Sequence, residues 1–155
     1  MNHSSLVGQT LEALWMSPPR EAHPAWVDGT TAAISTDLVN FSLVGGSSVQ
    51  VLPCEVPIAG AYPALGIEFH ESLHAQDVPP TSPEGWPALE QLDEVKRHLP
   101  GTIAQVRVWD ALGEGPESAI QLILGTGLAL TVRHTYPPMT LGLDIALTDH
   151  PSNPA

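Results

Sequence analysis

Two stretches of this chain carry the same antiparallel signature. Val39, Phe41 and Leu43 alternate with Asn40 and Ser42, Gly45-Gly46-Ser47 follows, and Val49 and Val51 resume the alternation. Farther on, Ile120, Leu122 and Leu124 run into Gly125-Thr126-Gly127, and Leu130 and Val132 come back. A side-chain period of two belongs to a strand, and glycines supply the positive-φ residues of a tight reversal. The two hairpins align without a gap at an offset of 81 residues, which takes Val39 to Ile120, Leu43 to Leu124, Gly46 to Gly127 and Val51 to Val132.

Each hairpin leads to one of the two tyrosines, in Tyr62-Pro63-Ala64-Leu65-Gly66-Ile67-Glu68-Phe69 and in Tyr136-Pro137-Pro138-Met139-Thr140-Leu141-Gly142-Leu143-Asp144-Ile145. The shared Leu-Gly-apolar-acid-apolar run predicts a third strand in each copy. A strand before each hairpin is expected at 30–35 around Ile34, and at 103–109 on Ile103, Val106 and Val108. Any two antiparallel meanders share alternation and glycine turns. The repeated Tyr-Pro and Leu-Gly positions are what favour duplication.

A helix is expected to open each copy. Ser4 or Ser5 can cap a first turn, and Leu6, Val7, Leu11, Leu14 and Trp15 follow at helical spacing up to Pro18-Pro19. In the second copy Pro87 suits the first helical position, Leu89, Leu92, Val95 and Leu99 form one stripe, and Lys96-Arg97-His98 complement the helix dipole before Pro100-Gly101. The fold expected is α+β: antiparallel sheet from two degenerate helix-plus-four-strand repeats, about 4–78 and 84–148, with the helices packed on the sheet. One domain spans 1–150, and the proline-containing tail 151–155 is expected to be disordered.

Charge narrows the partners. Five Lys+Arg stand against 17 Asp+Glu, a formal net charge of -12, and Arg20, Lys96, Arg97, Arg107 and Arg133 are scattered. That leaves no basic footprint for nucleic acid. Anionic lipid is repelled as well, and no segment approaches the roughly 20 apolar residues of a membrane span. The expected partner is a protein with a basic surface. Met1-Asn2-His3-Ser4-Ser5 has neither the basic region nor the apolar stretch of a secretory signal, which makes a cytoplasmic location the expectation. Cys54, between Pro53 and Glu55, has no neighbouring cation to activate it and reads as a packed side chain.

One motif names a chemistry. His70-Glu71-Ser72-Leu73-His74 has the form H-E-x-x-H and resembles the zincin metallopeptidase motif over five residues. The resemblance implies His70 and His74 as zinc ligands on one helix face, Glu71 as general base, and Glu90 or Glu94 as a third ligand. The repeat opposes it, because Leu65, Ile67 and Phe69 predict a strand running into the motif. Extended chain would set His70 and His74 about 13 Å apart. The second copy carries Ala146-Leu147-Thr148-Asp149-His150 there instead. No metal or cofactor is therefore expected. The paired glycines join strands with no lysine following, so they are turns rather than phosphate loops.

Among the four tryptophans, Trp15 and Trp109 sit in apolar-periodic segments and are expected in the core, while Trp26 and Trp86 adjoin prolines and turn residues. The expected function is a non-catalytic binding protein, in its concrete form a bacterial immunity-type protein that neutralises a toxin. Its contacts would be Asp110, Glu114 and Glu117, with Trp26 and Trp86 as aromatic anchors. The alternatives are a small zinc metallopeptidase on His70, Glu71 and His74, and an assembly subunit pairing through an open sheet edge.

Overall fold

The alternating segments fold as strands in the computed structural model, which describes residues 3–17, 32–57, 60, 63–72, 90–91, 93–135 and 142–148. In chain order these are β1 (Thr10–Met16), β2 (Ala32–Thr36), β3 (Val39–Leu43), β4 (Ser48–Val56), β5 (Ala64–Ser72), β6 (Glu90–Gln91), β7 (Gly101–Trp109), β8 (Ala119–Leu124), β9 (Ala129–His134) and β10 (Leu143–Thr148). A 3-10 turn at His3–Leu6 and a single helical turn, α1, at Asp93–Lys96 complete the described elements. All strand pairs are antiparallel, in the order β2-β10-β9-β8-β7-β1-β3-β4-β5, and β6 pairs with β1.

The α+β expectation is overturned: among the described residues the two helical segments are single turns, too short to cover a sheet face. The first predicted helix is largely β1. Its pairing with β3 shifts register between Leu11, opposite Leu43, and Ala13, opposite Ser42, so the exposed Glu12 bulges out. A bulge adds one residue and resets the alternation. The spacing from Leu11 to Leu14 thereby imitates a helical step, although both are fully buried strand residues.

Competing strand pairing also explains the second predicted helix. On the β1 edge that faces β7, Thr10 and Leu11 pair with Thr102 and Gly101, while Trp15 and Met16 pair with Gln91 and Glu90. Backbone groups there are satisfied by a ladder rather than a helix. Only Asp93–Lys96 turns helically, carrying Val95 into the core. Leu89 and Leu92 lie outside the described residues, as do Tyr62, Tyr136 and the tail 151–155.

The four-strand units are β1-β3-β4-β5 and β7-β8-β9-β10, so the strand order reads alike outward from the β1–β7 contact. Their equivalence extends to irregularities. The bulge between Leu11 and Ala13 is matched by a register shift between Ile103, opposite Leu124, and Gln105. The turn bonds Leu43 N to Ser47 O and Gly46 N to Leu43 O recur as Leu124 N to Leu128 O and Gly127 N to Leu124 O. Val44 N donates to Thr10 O, as Gly125 N does to Thr102 O. Val51 faces Phe69, and its counterpart Val132 faces Ile145, so β5 and β10 take equivalent registers on β4 and β9. One hydrophobic cluster joins both units, including Leu11, Leu14, Phe41, Val51 and Ile67 with Ile103, Ile120, Leu130, Val132 and Ile145.

β2 departs from the expected order. Instead of joining its own hairpin it pairs with β10 of the other unit, with Thr36 opposite Leu143. The reciprocal contact also exists: Glu117 O accepts from Ile67 N at 2.9 Å. Under the sequence alignment Glu117 corresponds to Thr36 and Ile67 to Leu143. The segment before each hairpin thus closes the edge of the opposite unit, as a regular strand in one case and as the acidic loop in the other.

Candidate functional site

The acidic loop between β7 and β8 is built around its own first carboxylate. Asp110 Oδ1 accepts from the backbone N–H groups of Gly113 at 2.7 Å and Glu114 at 3.2 Å, and Oδ2 from Gly115 at 2.9 Å. Gly113 and Gly115 adopt φ of 74° and 107°, a region that side chains with a Cβ rarely enter. These donors, Gly115 foremost, hold the exposed Asp110 carboxyl below its ordinary value. The buried Ser118 closes the loop, its Oγ accepting from Ala111 N at 2.8 Å and Leu112 N at 3.2 Å.

From this frame Glu114 reaches β5, where its Oε1 accepts from Leu65 N at 2.9 Å. A carboxylate oxygen occupies the place a neighbouring strand would fill with a carbonyl. Contact is close: a Cβ on Gly66 would stand 2.9 Å from Pro116 Cβ and 3.0 Å from Glu117 O. Of the three acidic residues singled out by sequence, Asp110 therefore organises the loop and Glu114 ties it to β5, while Asp110 and Glu117 are exposed. Glu55, also exposed, lies opposite Leu65 in register and extends the anionic surface.

Polar groups that sequence reasoning did not single out lie beneath the loop. His134 is fully buried at the end of β9, with its Nδ1 donating to Thr135 O at 2.7 Å and its Nε2 without a partner among the described residues. Burial depresses its pKa, against the opposing pull of the Thr135 carbonyl and of Asp144, Glu114 and Glu55. Asp144 is buried on β10, where Oδ1 accepts from Ser35 Oγ at 2.6 Å and Thr135 Oγ1 at 3.0 Å. It faces Arg133 in register, and Arg133 also donates to Ala111 O at 3.3 Å. Burial lowers the Arg133 pKa and the Asp144 charge opposes that shift.

A serine, a histidine and an aspartate meet here without forming a nucleophilic triad. Ser35 gives its hydroxyl proton to Asp144, and the Nδ1 proton of His134 goes to a carbonyl. Strand alternation sends His134 and Asp144 to opposite faces, since Asp144 pairs with Arg133 and His134 with Leu143. This network fastens β2, β9, β10 and the loop. The available sequence signal was an acid between Leu143 and Ile145 on a buried strand, matched in the other copy by Glu68, which is exposed.

The H-E-x-x-H motif begins at the far end of β5. His70 pairs with Gln50 and Glu71 with Val49, both in extended chain, so their side chains leave opposite faces. His70 Nε2 lies 3.5 Å from Glu68 Oε2, and both side chains are about half exposed. The helical presentation required by a zincin zinc site is absent at the motif's first two residues. No group of three metal-ligating side chains occurs among the described residues. His74 lies outside them, as do the side chains of Glu90 and Glu94.

Glu71 instead borders a cleft of about 300 Å³, together with Leu6, Gln9, Leu43, Ser47, Ser48 and Val49. Trp26 and Trp86 lie outside the described residues. Trp15 and Trp109, expected in the core, are only half-buried, and Arg107 stacks on Trp109 with its guanidinium carbon 4.8 Å from the ring centroid. Cys54 is half-buried on β4, where burial first and Glu68 second push its thiol pKa up. Among the described residues no helix is long and apolar enough to cross a membrane. No family model, curated protein or solved structure matches the chain. The fold is an antiparallel sheet of two four-strand units, in which a segment of each unit closes the edge of the other.

Proposed function

We propose that the chain is a non-catalytic binding protein whose acidic loop end receives a basic protein surface. The observation that carries this reading is the preorganised loop, in which Asp110 is exposed yet fixed by three backbone donors and Glu117 and Glu55 stand exposed nearby. Carboxylates already held in place lose little side-chain entropy on contact, and a net charge of -12 accelerates encounter with a cationic partner. Neutralisation of a basic toxin, as by an immunity-type protein, is the concrete form of this reading.

The test separates contact residues from those that shape the loop. Full-length protein and a Glu55→Lys/Glu117→Lys variant are immobilised and exposed to lysate from source cells, and retained proteins are eluted with increasing salt. A basic protein held by the first, lost by the second and released by salt supports the reading. Equal retention by both rejects it.

A further inference from the structure

His134 sits where the two units meet. Strand alternation puts it on the same sheet face as Val132, and its register partner is Leu143; both are core residues. Its backbone N–H donates to Ser118 O at 2.9 Å, and Ser118 Oγ in turn holds the acidic loop through Ala111 N and Leu112 N. On the other unit, the buried Leu65 shares the β5 face that carries Ile67 into the same core, and its N–H donates to Glu114 Oε1. The loop, β5 and the end of β9 therefore share one boundary, and the imidazole lies inside it.

The residue is 0% exposed. With Nδ1 donating to Thr135 O, the neutral ring keeps its lone pair on Nε2, and that atom has no hydrogen-bond partner among the described residues. A proton arriving there adds a donor with no described group in reach to receive it, and a charge sealed from water. Burial outweighs the pull of the Thr135 carbonyl and of the carboxylates that act on the ring, Asp144 on β10, Glu114 in the loop and Glu55 on β4. Arg133, next to it in sequence, leaves the opposite face of β9.

We propose that docking of the acidic loop on β5 is proton-gated, with His134 neutral while the loop is closed and protonated when it lifts. Around the ring, β8, β9 and β10 are tied by continuous ladders, whereas the loop meets β5 through the bonds from Leu65 N to Glu114 Oε1 and from Ile67 N to Glu117 O. Lifting lets water reach the imidazolium and frees Glu114 from Leu65. Protons then bind the open form more tightly than the closed one, so falling pH favours opening. With the ordinary value of 6.5 in the open form, the opening constant rises by as much as about tenfold from about pH 7.5 to about pH 5.5. That range lies above the Asp110 value, so the loop's internal frame persists. The gating acts on the loop whatever molecule it meets, and its test needs no partner.

The experiment is amide hydrogen exchange of the full chain from about pH 7.5 to about pH 5.5, each rate divided by its intrinsic rate, with and without urea well below the unfolding midpoint. Protection at Leu65 and Ile67 is expected to fall about five- to tenfold across the range, through an opening that dilute urea leaves unchanged. Val49 and Val51 should stay better protected and respond to urea. His134→Gln, which cannot titrate, should hold the protection of Leu65 and Ile67 constant with pH; if that variant does not fold, the wild-type profile decides. Protection at Leu65 and Ile67 that ignores pH, or that falls only in step with Val49 and Val51 and with the same urea response, overturns the proposal. So does a His134→Gln variant that keeps the full pH dependence.

Discussion

Gly66→Ala tests whether the acidic loop truly closes the edge of β5. The new methyl would meet Pro116 Cβ at 2.9 Å, Glu117 O at 3.0 Å and Cys54 Sγ at 3.6 Å. The first two atoms belong to a ring and a backbone carbonyl, neither of which can swing aside as a flexible side chain would. Either β5 is overpacked, at about 1–3 kcal/mol, or the loop lifts. Lifting costs the bond from Ile67 N to Glu117 O, about 0.5–1.5 kcal/mol, and the charged one from Leu65 N to Glu114, about 1.5–3 kcal/mol. The two routes are alternatives and the cheaper one is taken, so the expected destabilisation is about 1–3 kcal/mol. Urea unfolding should show a lower midpoint at unchanged slope. Amide exchange identifies the route, since Leu65 and Ile67 lose protection when the loop lifts while Val49 and Val51 on β4, paired with Phe41 and Val39 of β3, keep theirs. A destabilisation below about 0.5 kcal/mol with both β5 amides still protected would refute the account.

Asp110→Ala should free the Gly113 and Gly115 amides to exchange quickly. The same loosening is expected in the wild type as pH falls through the folded Asp110 value, which lies below 3.8, because a depressed carboxyl contributes order above that value and loses it below. Asp144→Asn should cost about 1.5–3 kcal/mol in thermal or urea unfolding, since it removes the buried carboxylate charge that accepts from Ser35 and Thr135 and faces Arg133 in register. His134 titrates with the same sign as Asp110, at higher pH. With a folded pKa below its ordinary 6.5, the unfolded chain binds the extra proton, so stability should rise as pH increases toward 6.5 and level off above it. His134→Gln should flatten that part of the profile, and an unchanged profile would contradict the assignment.

The eight strands of the two units and β2 differ in how far they can be read from sequence. Hairpin strands such as Val39–Leu43 and Ala119–Leu124 present alternation and glycine turns, both local signals. β1 does not, because the bulge at Glu12 resets its alternation and Ala13 and Leu14 are both buried in succession. The position of β2 is likewise invisible locally, since its partner β10 lies far downstream. At the candidate sites, the acidity of Asp110, Glu114 and Glu117 was legible, but their internal duties were not. Those depend on where Leu65 N and the glycine amides lie in space.

Reciprocal edge closure has a consequence for synthesis of the chain. Ser35 bonds Asp144 across 109 residues, so β2 leaves a ribosome long before its partner exists. Until residue 117 follows, β5 has no cover on its outer edge, and until β10 follows β2 has none of its ladder. Nonlocal pairings of this kind form slowly and leave strand edges available to other chains in the interval. A chain stopped before Leu143 would retain most of its apolar residues yet lack β2's partner strand, and should accumulate as aggregate rather than as a smaller working domain.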